Sequence, residues 1–228
     1  WALCWMSDWQ PWEKLPSLTS KSMDSDVEPI AKRLKSTASS HRVQTVLFDF
    51  DGTLTMREEI PAWRLFPERG GFNRQGPDSS WLKERGFGGC ERISHLREML
   101  CHFKRLGVEC RIVSYADRAV IERTMTILEM ADLFVEISGL QEIGNFSSKA
   151  SFIQNFMDGS GLTMSNVLFV DDQDKHIHDA TGVCLTFKSR GLGLTLAEMD
   201  SILHQVCKGH TETTKLAADE DRETEKSR

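Results

Sequence analysis

The chain has 228 residues, 39% of them hydrophobic and 27% charged, with a formal net charge of −6. That is enough for one sizeable domain with tails and an ordinary soluble composition, and it speaks against a nucleic-acid binder, which would carry a basic excess. No apolar run approaches the ~20 residues of a membrane-spanning helix, and the six cysteines (Cys4, Cys90, Cys101, Cys110, Cys184 and Cys207) include no Cys-x-x-Cys pair, the pattern of a reducing, cytoplasmic interior rather than of disulfides or a zinc site.

Residues 1–42 differ from the rest. Trp1, Trp5, Trp9 and Trp12 crowd a start without methionine, the pattern of a fragment or a misplaced start, and Asp8 and Pro11 break any signal-peptide core. Residues 17–42, rich in Ser, Thr and Lys, read as flexible. Lys32-Arg33-Leu34-Lys35 is at most a weak nuclear address, and a solvated charged face is the better reading of so short a basic cluster. A buried strand follows over Val43 to Phe50, closing on Asp49-Phe50-Asp51-Gly52-Thr53. Residues 57–90, with six glycines, three prolines, Trp63 and Trp81, form an insert that is long for a compact domain and is placed to arch over that strand end. Ile93, Leu96, Leu100 and Phe103 mark a helix over Glu91 to Leu106, stopped by Gly107.

Val108 to Ser114 reads as a second buried strand, and Asp117 as the N-cap of a helix holding Val120, Ile121, Ile127 and Leu128. Leu133 to Ile137 predicts a short strand. Ser147 or Ser148 caps a helix with Phe152, Ile153 and Phe156 on one face, Val167 to Val170 a very apolar strand ending at Asp171-Asp172, and Val183 to Phe187 the last strand. Thr195 and Glu198 form a capping box before a helix through Ile202, Leu203 and Val206. Residues 207–228 read as a disordered polar tail. Strands alternating with helices predict an α/β fold, a doubly wound parallel sheet with helices on both faces, over residues 43–206, with residues 57–90 as a small loop-like cap.

If the strands are parallel, four points meet at one sheet edge: Asp49 and Asp51, Ser114, Lys149, and Asp171 with Asp172. Each is ordinary alone. Ser114 reads as a strand-end serine, Lys149 as a surface lysine on a first turn, and Asp171-Asp172 as a cap for the next helix. Two carboxylates held close repel unless a cation or proton is shared. A lysine at the positive end of a helix wants an anionic partner. Taken together, these motifs resemble, in order and spacing, the haloacid dehalogenase superfamily over residues 43–206, and within it the small-capped magnesium-dependent phosphatases. The latter likeness is clearest from Ser148-Lys149-Ala150 through Val170-Asp171-Asp172 to Gly182-Val183. Gly52 and His176 stand where that family often has tyrosine and asparagine.

The resemblance implies a Rossmann-like core and a Mg²⁺-dependent phosphomonoesterase acting through an aspartyl-phosphate. It assigns the nucleophile to Asp49, the acid and base to Asp51, and a second positive charge to Lys149. Mg²⁺ is held by Asp49, the Asp51 backbone carbonyl, and Asp171 or Asp172, while Thr53, Ser114 and Lys149 bind the phosphoryl group. An all-oxygen site of this kind suits Mg²⁺, and a carboxylate nucleophile splits the reaction into two easier steps. The expected partner is a phosphorylated small molecule or a phosphoprotein. His176 is read as supporting the acidic pair and His178 as a surface residue. The alternatives are a phosphotransferase or mutase of the same superfamily and a non-catalytic binding protein on the same fold.

Overall fold

The computed structural model describes residues 42–57, 59–66 and 77–208. The expectations for residues 1–41, for the insert between 67 and 76, and for the tail beyond 208 lie outside the described residues. Five strands form one fully parallel sheet: β1 (Thr45–Phe48), β2 (Glu109–Val113), β3 (Glu136–Ser138), β4 (Val167–Asp171) and β5 (Leu185–Lys188), in the order β3-β2-β1-β4-β5. Every residue of β1 and β4 is buried, which is why both read as unbroken apolar runs rather than alternating ones. Val46 faces Cys110 and Leu168, and Phe48 faces Ile112 and Val170, so three strands end level with one another.

The helices are α1 (Cys90–Leu106), α2 (Arg118–Ile127), α3 (Lys149–Ser160), α4 (Asp174–Ala180) and α5 over 196–208. One face of the sheet buries Val46, Phe48, Ile112 and Val170 against Leu96 and Phe103 of α1, Ile121 of α2 and Ile202 of α5. The other face buries Leu47 and Phe169 against Ile153 and Met157 of α3 and Ala180 of α4. Phe48, Phe103 and Phe169 are fully buried, each worth about 1.5–3 kcal/mol relative to exposure. None of the helices among the described residues is long and apolar enough to cross a membrane.

The caps follow the sequence reading. Gly107 closes α1, Asp117 accepts from Ala119 N at 2.7 Å, Ser148 accepts from Ser151 N at 3.2 Å, and Thr195 and Glu198 bond reciprocally ahead of α5. Two strands are displaced from expectation. The chain makes a helical turn at Ala131–Leu133 before pairing as Glu136–Ser138, because Leu133 N and Phe134 N bond back to Met130 O and Ala131 O, and contact with β2 starts only at Val135 N on Cys110 O. Similarly β5 begins at Leu185, since Val183 and Cys184 turn back onto Ala180 O. The described parts of the insert are short turns, Ala62–Leu65 and Ser79–Trp81. They are pinned by an Arg64–Asp78 ion pair of 2.7 Å and by Ile60, Leu65, Leu82 and Phe87 sinking into the main core.

Candidate active site

After β3 the chain crosses to the far side of β1 to lay down β4, so the order reverses beside β1, where open α/β sheets leave a crevice at the strands' carboxyl ends. Asp49 stands at that point. It is buried, and its N–H donates to Val170 O at 2.8 Å, so backbone pairing with β4 fixes its position. The chain then turns sharply. Asp51 has φ −73° and ψ 131°, and Gly52 φ 71° and ψ −12°, the two central positions of a type II turn, the second of which favours glycine. A side chain at Gly52 would also collide with Asp172, because a Cβ there would lie 2.7 Å from Oδ2. Thr55 locks the exit: its hydroxyl accepts from Gly52 N at 3.1 Å and donates to Arg57 O at 2.6 Å.

Lys149, the first residue of α3, carries the centre of the site. It is almost wholly buried, and its Nζ donates to Asp49 Oδ1 at 2.6 Å and to Asp171 Oδ2 at 2.8 Å. Asp171, at the end of β4, also accepts from Gln173 N at 2.7 Å and lies 3.1 Å from His176 Nδ1. The expected support from His176 is therefore present. Oxygens of Asp49, Asp171 and Asp172 lie within 4.8 Å of one another. Ser114, buried at the end of β2, has its hydroxyl 3.3 Å from Ala116 N and favours the charged form of the Asp49 carboxylate. Thr53 is buried too, and its hydroxyl faces Asp172 Oδ1 at 3.5 Å. Thus Asp49, Thr53, Ser114, Lys149, Asp171 and Asp172 come together at one rim, with Asp51 beside them.

Burial pushes the Asp49 carboxyl up, and Lys149 pulls it part of the way back. Burial also works to neutralise Lys149, yet Asp49 and Asp171 outweigh it and hold the ammonium above its ordinary value. In Asp171 burial is outweighed by His176, Lys149 and Gln173 N–H, which keep its carboxyl below the usual range. Asp172 is raised by burial and then by the charge of Asp171. Asp51 is raised to about 7, first by burial and then by Asp49 and Glu59, and its buried Oδ1 has no hydrogen-bond partner among the described residues. Four carboxylates thus face one ammonium. Such a set calls for further positive charge, and its donors are all hard oxygens, so the residues fit a Mg²⁺ ion. Gly52 and Gly191 both leave room against Asp172, where a Cβ would lie 2.7 Å and 3.3 Å from its Oδ2.

Sequence reasoning missed two residues. Tyr115 follows Ser114 with its ring 5.5 Å from Lys149 Nζ and 5.6 Å from the His176 ring, yet 39% of it stays exposed at the rim. An aromatic one step beyond a strand end was its only signal. Arg92 lies behind the turn, and its signal was stronger: it falls on the buried stripe of α1 with Leu96, Met99 and Phe103. A cavity of about 320 Å³ opens beside Asp51, walled by Glu59, Ile60, Tyr115, Asp117 and Val120.

Residues 82–186 match the family described as haloacid dehalogenase-like hydrolase. No curated protein matches the chain. Among solved structures, it is similar to 3-deoxy-D-manno-octulosonate 8-phosphate phosphatase from Moraxella catarrhalis, with TM-score 0.48 and 14% identity over 79% of this chain and 94% of that one. It is also similar to a predicted phosphoglycolate phosphatase from Haemophilus somnus, with TM-score 0.45 and 15% identity over 69% and 91%. A haloacid dehalogenase-like family protein from Streptococcus pneumoniae gives TM-score 0.42 and 15% identity over 69% and 90%. The stretch matching that family carries Ser114, Lys149, Asp171 and Asp172, so the likeness covers the later part of the site while Asp49 and Asp51 lie outside it.

Proposed function

We propose that the chain is a Mg²⁺-dependent phosphomonoesterase that works through a phospho-aspartate at Asp49. The observation carrying this reading is the buried Asp49–Lys149–Asp171 chain, with contacts of 2.6 and 2.8 Å. A carboxylate fixed at a strand end beside a buried ammonium is a nucleophile aligned for attack, with its neighbour ready to balance phosphoryl charge. Asp49 attacks phosphorus and the bond to the leaving oxygen breaks. Asp51 gives that oxygen its proton. In the second step Asp51 takes a proton from water, which attacks the acyl phosphate and returns Asp49 and free phosphate. A carboxyl near pH 7 is well placed to serve as both acid and base.

Lys149 and Ser114 neutralise and hydrogen-bond the phosphoryl oxygens, and Thr53 keeps Asp172 in place. Mg²⁺, when bound by Asp49, the Asp51 carbonyl and Asp171 or Asp172, supplies the charge neutralisation that lets an anion approach an anion. The cavity of about 320 Å³ beside Asp51 has the size of a small-ligand site and favours a phosphorylated small molecule over a phosphoprotein. Residues 43–206 form the phosphatase domain, with 57–90 as its cap. The test is Asp49→Asn: release of phosphate from an aryl phosphate with Mg²⁺ falls to background while the circular dichroism spectrum is kept. Turnover at the wild-type rate removes Asp49 from the mechanism.

A further inference from the structure

Arg92 makes one contact set that the roles above leave unused. From the buried side of α1 its Nε donates to Leu194 O at 2.9 Å, Nη1 to Leu54 O at 3.0 Å and to Phe87 O at 3.1 Å, and Nη2 to Thr53 O at 3.3 Å. Four carbonyls from three segments converge on one guanidinium. Two belong to the turn that follows Asp51, one ends the insert, and one belongs to the 191–194 loop. That loop is itself stitched to the turn, because Gly193 N donates to Gly52 O at 2.9 Å and Leu194 N to Thr53 O at 2.8 Å. Gly193 has φ 78°, and a Cβ on it would lie 2.6 Å from Arg92 Nη2, so the loop is shaped around the guanidinium. Burial lowers the Arg92 pKa to about 10, against the opposing charge of Glu198, which still leaves a cation at neutral pH. Only a planar fork can reach carbonyls in this many directions, and a lysine ammonium is a point charge that cannot.

The turn so held is the one whose second residue is Asp51, a carboxyl without a hydrogen-bond partner on its buried oxygen. Among the described residues no hydrogen bond reaches that oxygen to set its aim, so the backbone carries that task. We infer that Arg92 is the positioning residue for proton transfer: by clamping Thr53 and Leu54 from behind, it aims Asp51 at the leaving oxygen and ties that aim to the end of the insert. The inference rests on the phosphatase reading for the role of Asp51, but not for the clamp itself.

Two measurements separate these parts. Arg92→Lys and Arg92→Met are assayed on 2,4-dinitrophenyl phosphate, whose leaving group needs little protonation, and on phenyl phosphate, whose leaving group needs much. The expected kcat/KM loss on phenyl phosphate exceeds that on the dinitrophenyl ester by about tenfold or more, because kcat/KM reads the step that breaks the ester bond and not the shared hydrolysis that follows, in line with the weight of positioned acid catalysis. Losses that are equal on both esters overturn the inference. Amide hydrogen exchange in the same variants gives the second measurement. Exchange at Gly193 and Leu194, whose amides bond Gly52 O and Thr53 O, is expected to speed up about tenfold or more while β1 keeps its protection. Unchanged exchange there overturns the clamp. A wild-type chain that cleaves neither ester sinks the phosphatase reading, and the exchange result still decides the clamp. Arg92→Lys keeps the charge and serves where Arg92→Met does not fold.

Discussion

Asp51→Asn should make the metal-free protein more stable and at the same time disable it. The rise of the Asp51 carboxyl from 3.8 to about 7, at about 1.4 kcal/mol for each pH unit, makes the charged form about 4 kcal/mol worse in the fold than in the unfolded chain. The sign follows from proton binding. The folded protein holds the Asp51 proton more tightly than the unfolded chain does, so this group costs nothing below about pH 4. The cost then grows as pH rises and is complete above about pH 7. Asparagine removes the charge and keeps the shape. At pH 8 with a chelator present, Asp51→Asn should therefore gain about 2–4 kcal/mol. At about 2–4 °C per kcal/mol for a chain of this size, that is a rise in Tm of roughly 5–15 °C. At pH 4 the two proteins should unfold together. Denaturant or thermal unfolding across this pH range reads the difference directly. Phosphate release from phenyl phosphate should fall by about 10²–10⁴-fold, the usual weight of a general acid. A variant that is equally stable at pH 8, or less stable there than the wild type, refutes the claim that a half-buried carboxylate with one unpaired oxygen is held at a cost at this turn.

Two further outcomes follow from the same geometry. Lys149→Met leaves Asp49 and Asp171 buried without their shared ammonium. It should cost about 3–5 kcal/mol, as breaking a buried pair usually does, and Mg²⁺ should restore more stability to the variant than it adds to the wild type in parallel thermal melts. His176→Ala removes the support 3.1 Å from Asp171 Oδ2 and should weaken Mg²⁺ binding by about 10–100-fold, read by calorimetric titration, with the melting temperature in chelator changed far less than in Lys149→Met.

The sheet was legible because its strands are buried on both faces. Thr45-Val46-Leu47-Phe48 and Val167-Leu168-Phe169-Val170 need no alternation to be recognised, and parallel strands interleaved with helices leave few possible orders. The candidate site was legible for a related reason: Asp49, Ser114 and Asp171 sit where the apolar runs of β1, β2 and β4 stop, and Lys149 follows a recognisable serine cap. What stayed hidden depends on backbone partners. The sequence over Leu133 to Ile137 does not reveal that Leu133 N and Phe134 N are claimed by Met130 O and Ala131 O, and so the strand starts later than its composition predicts. Ile60, Leu65, Leu82 and Phe87 look like scattered apolar residues of a loop, yet they belong to the core, because only the folded chain shows that the insert returns to the sheet. Arg92 was hidden by its partners, which are carbonyls, and carbonyls have no letter in the sequence.

The two cations of the site region divide the work between charge and shape. Lys149 is a point charge placed between two carboxylates, and its buried pairings resolve a repulsion that the strand ends create by bringing Asp49 and Asp171 together. Arg92 faces carbonyl oxygens, and its bonds resolve a geometric problem: a turn with glycine at its corner has little stiffness of its own. A lysine cannot serve at position 92, for lack of a fork, and an arginine at 149 would bring a bulkier, flat group into the space between Asp49 and Asp171. The same reasoning explains why the unpaired acid is Asp51 and not Asp49. On the proposed reading Asp49 must be charged to attack, and the Lys149 ammonium works against the burial that raises its carboxyl. The acid must hold its proton until the leaving oxygen needs it, so it is given burial and like-charged neighbours. On the phosphatase reading proposed above, the stability lost at Asp51 is the cost of giving two aspartates, two residues apart, opposite roles.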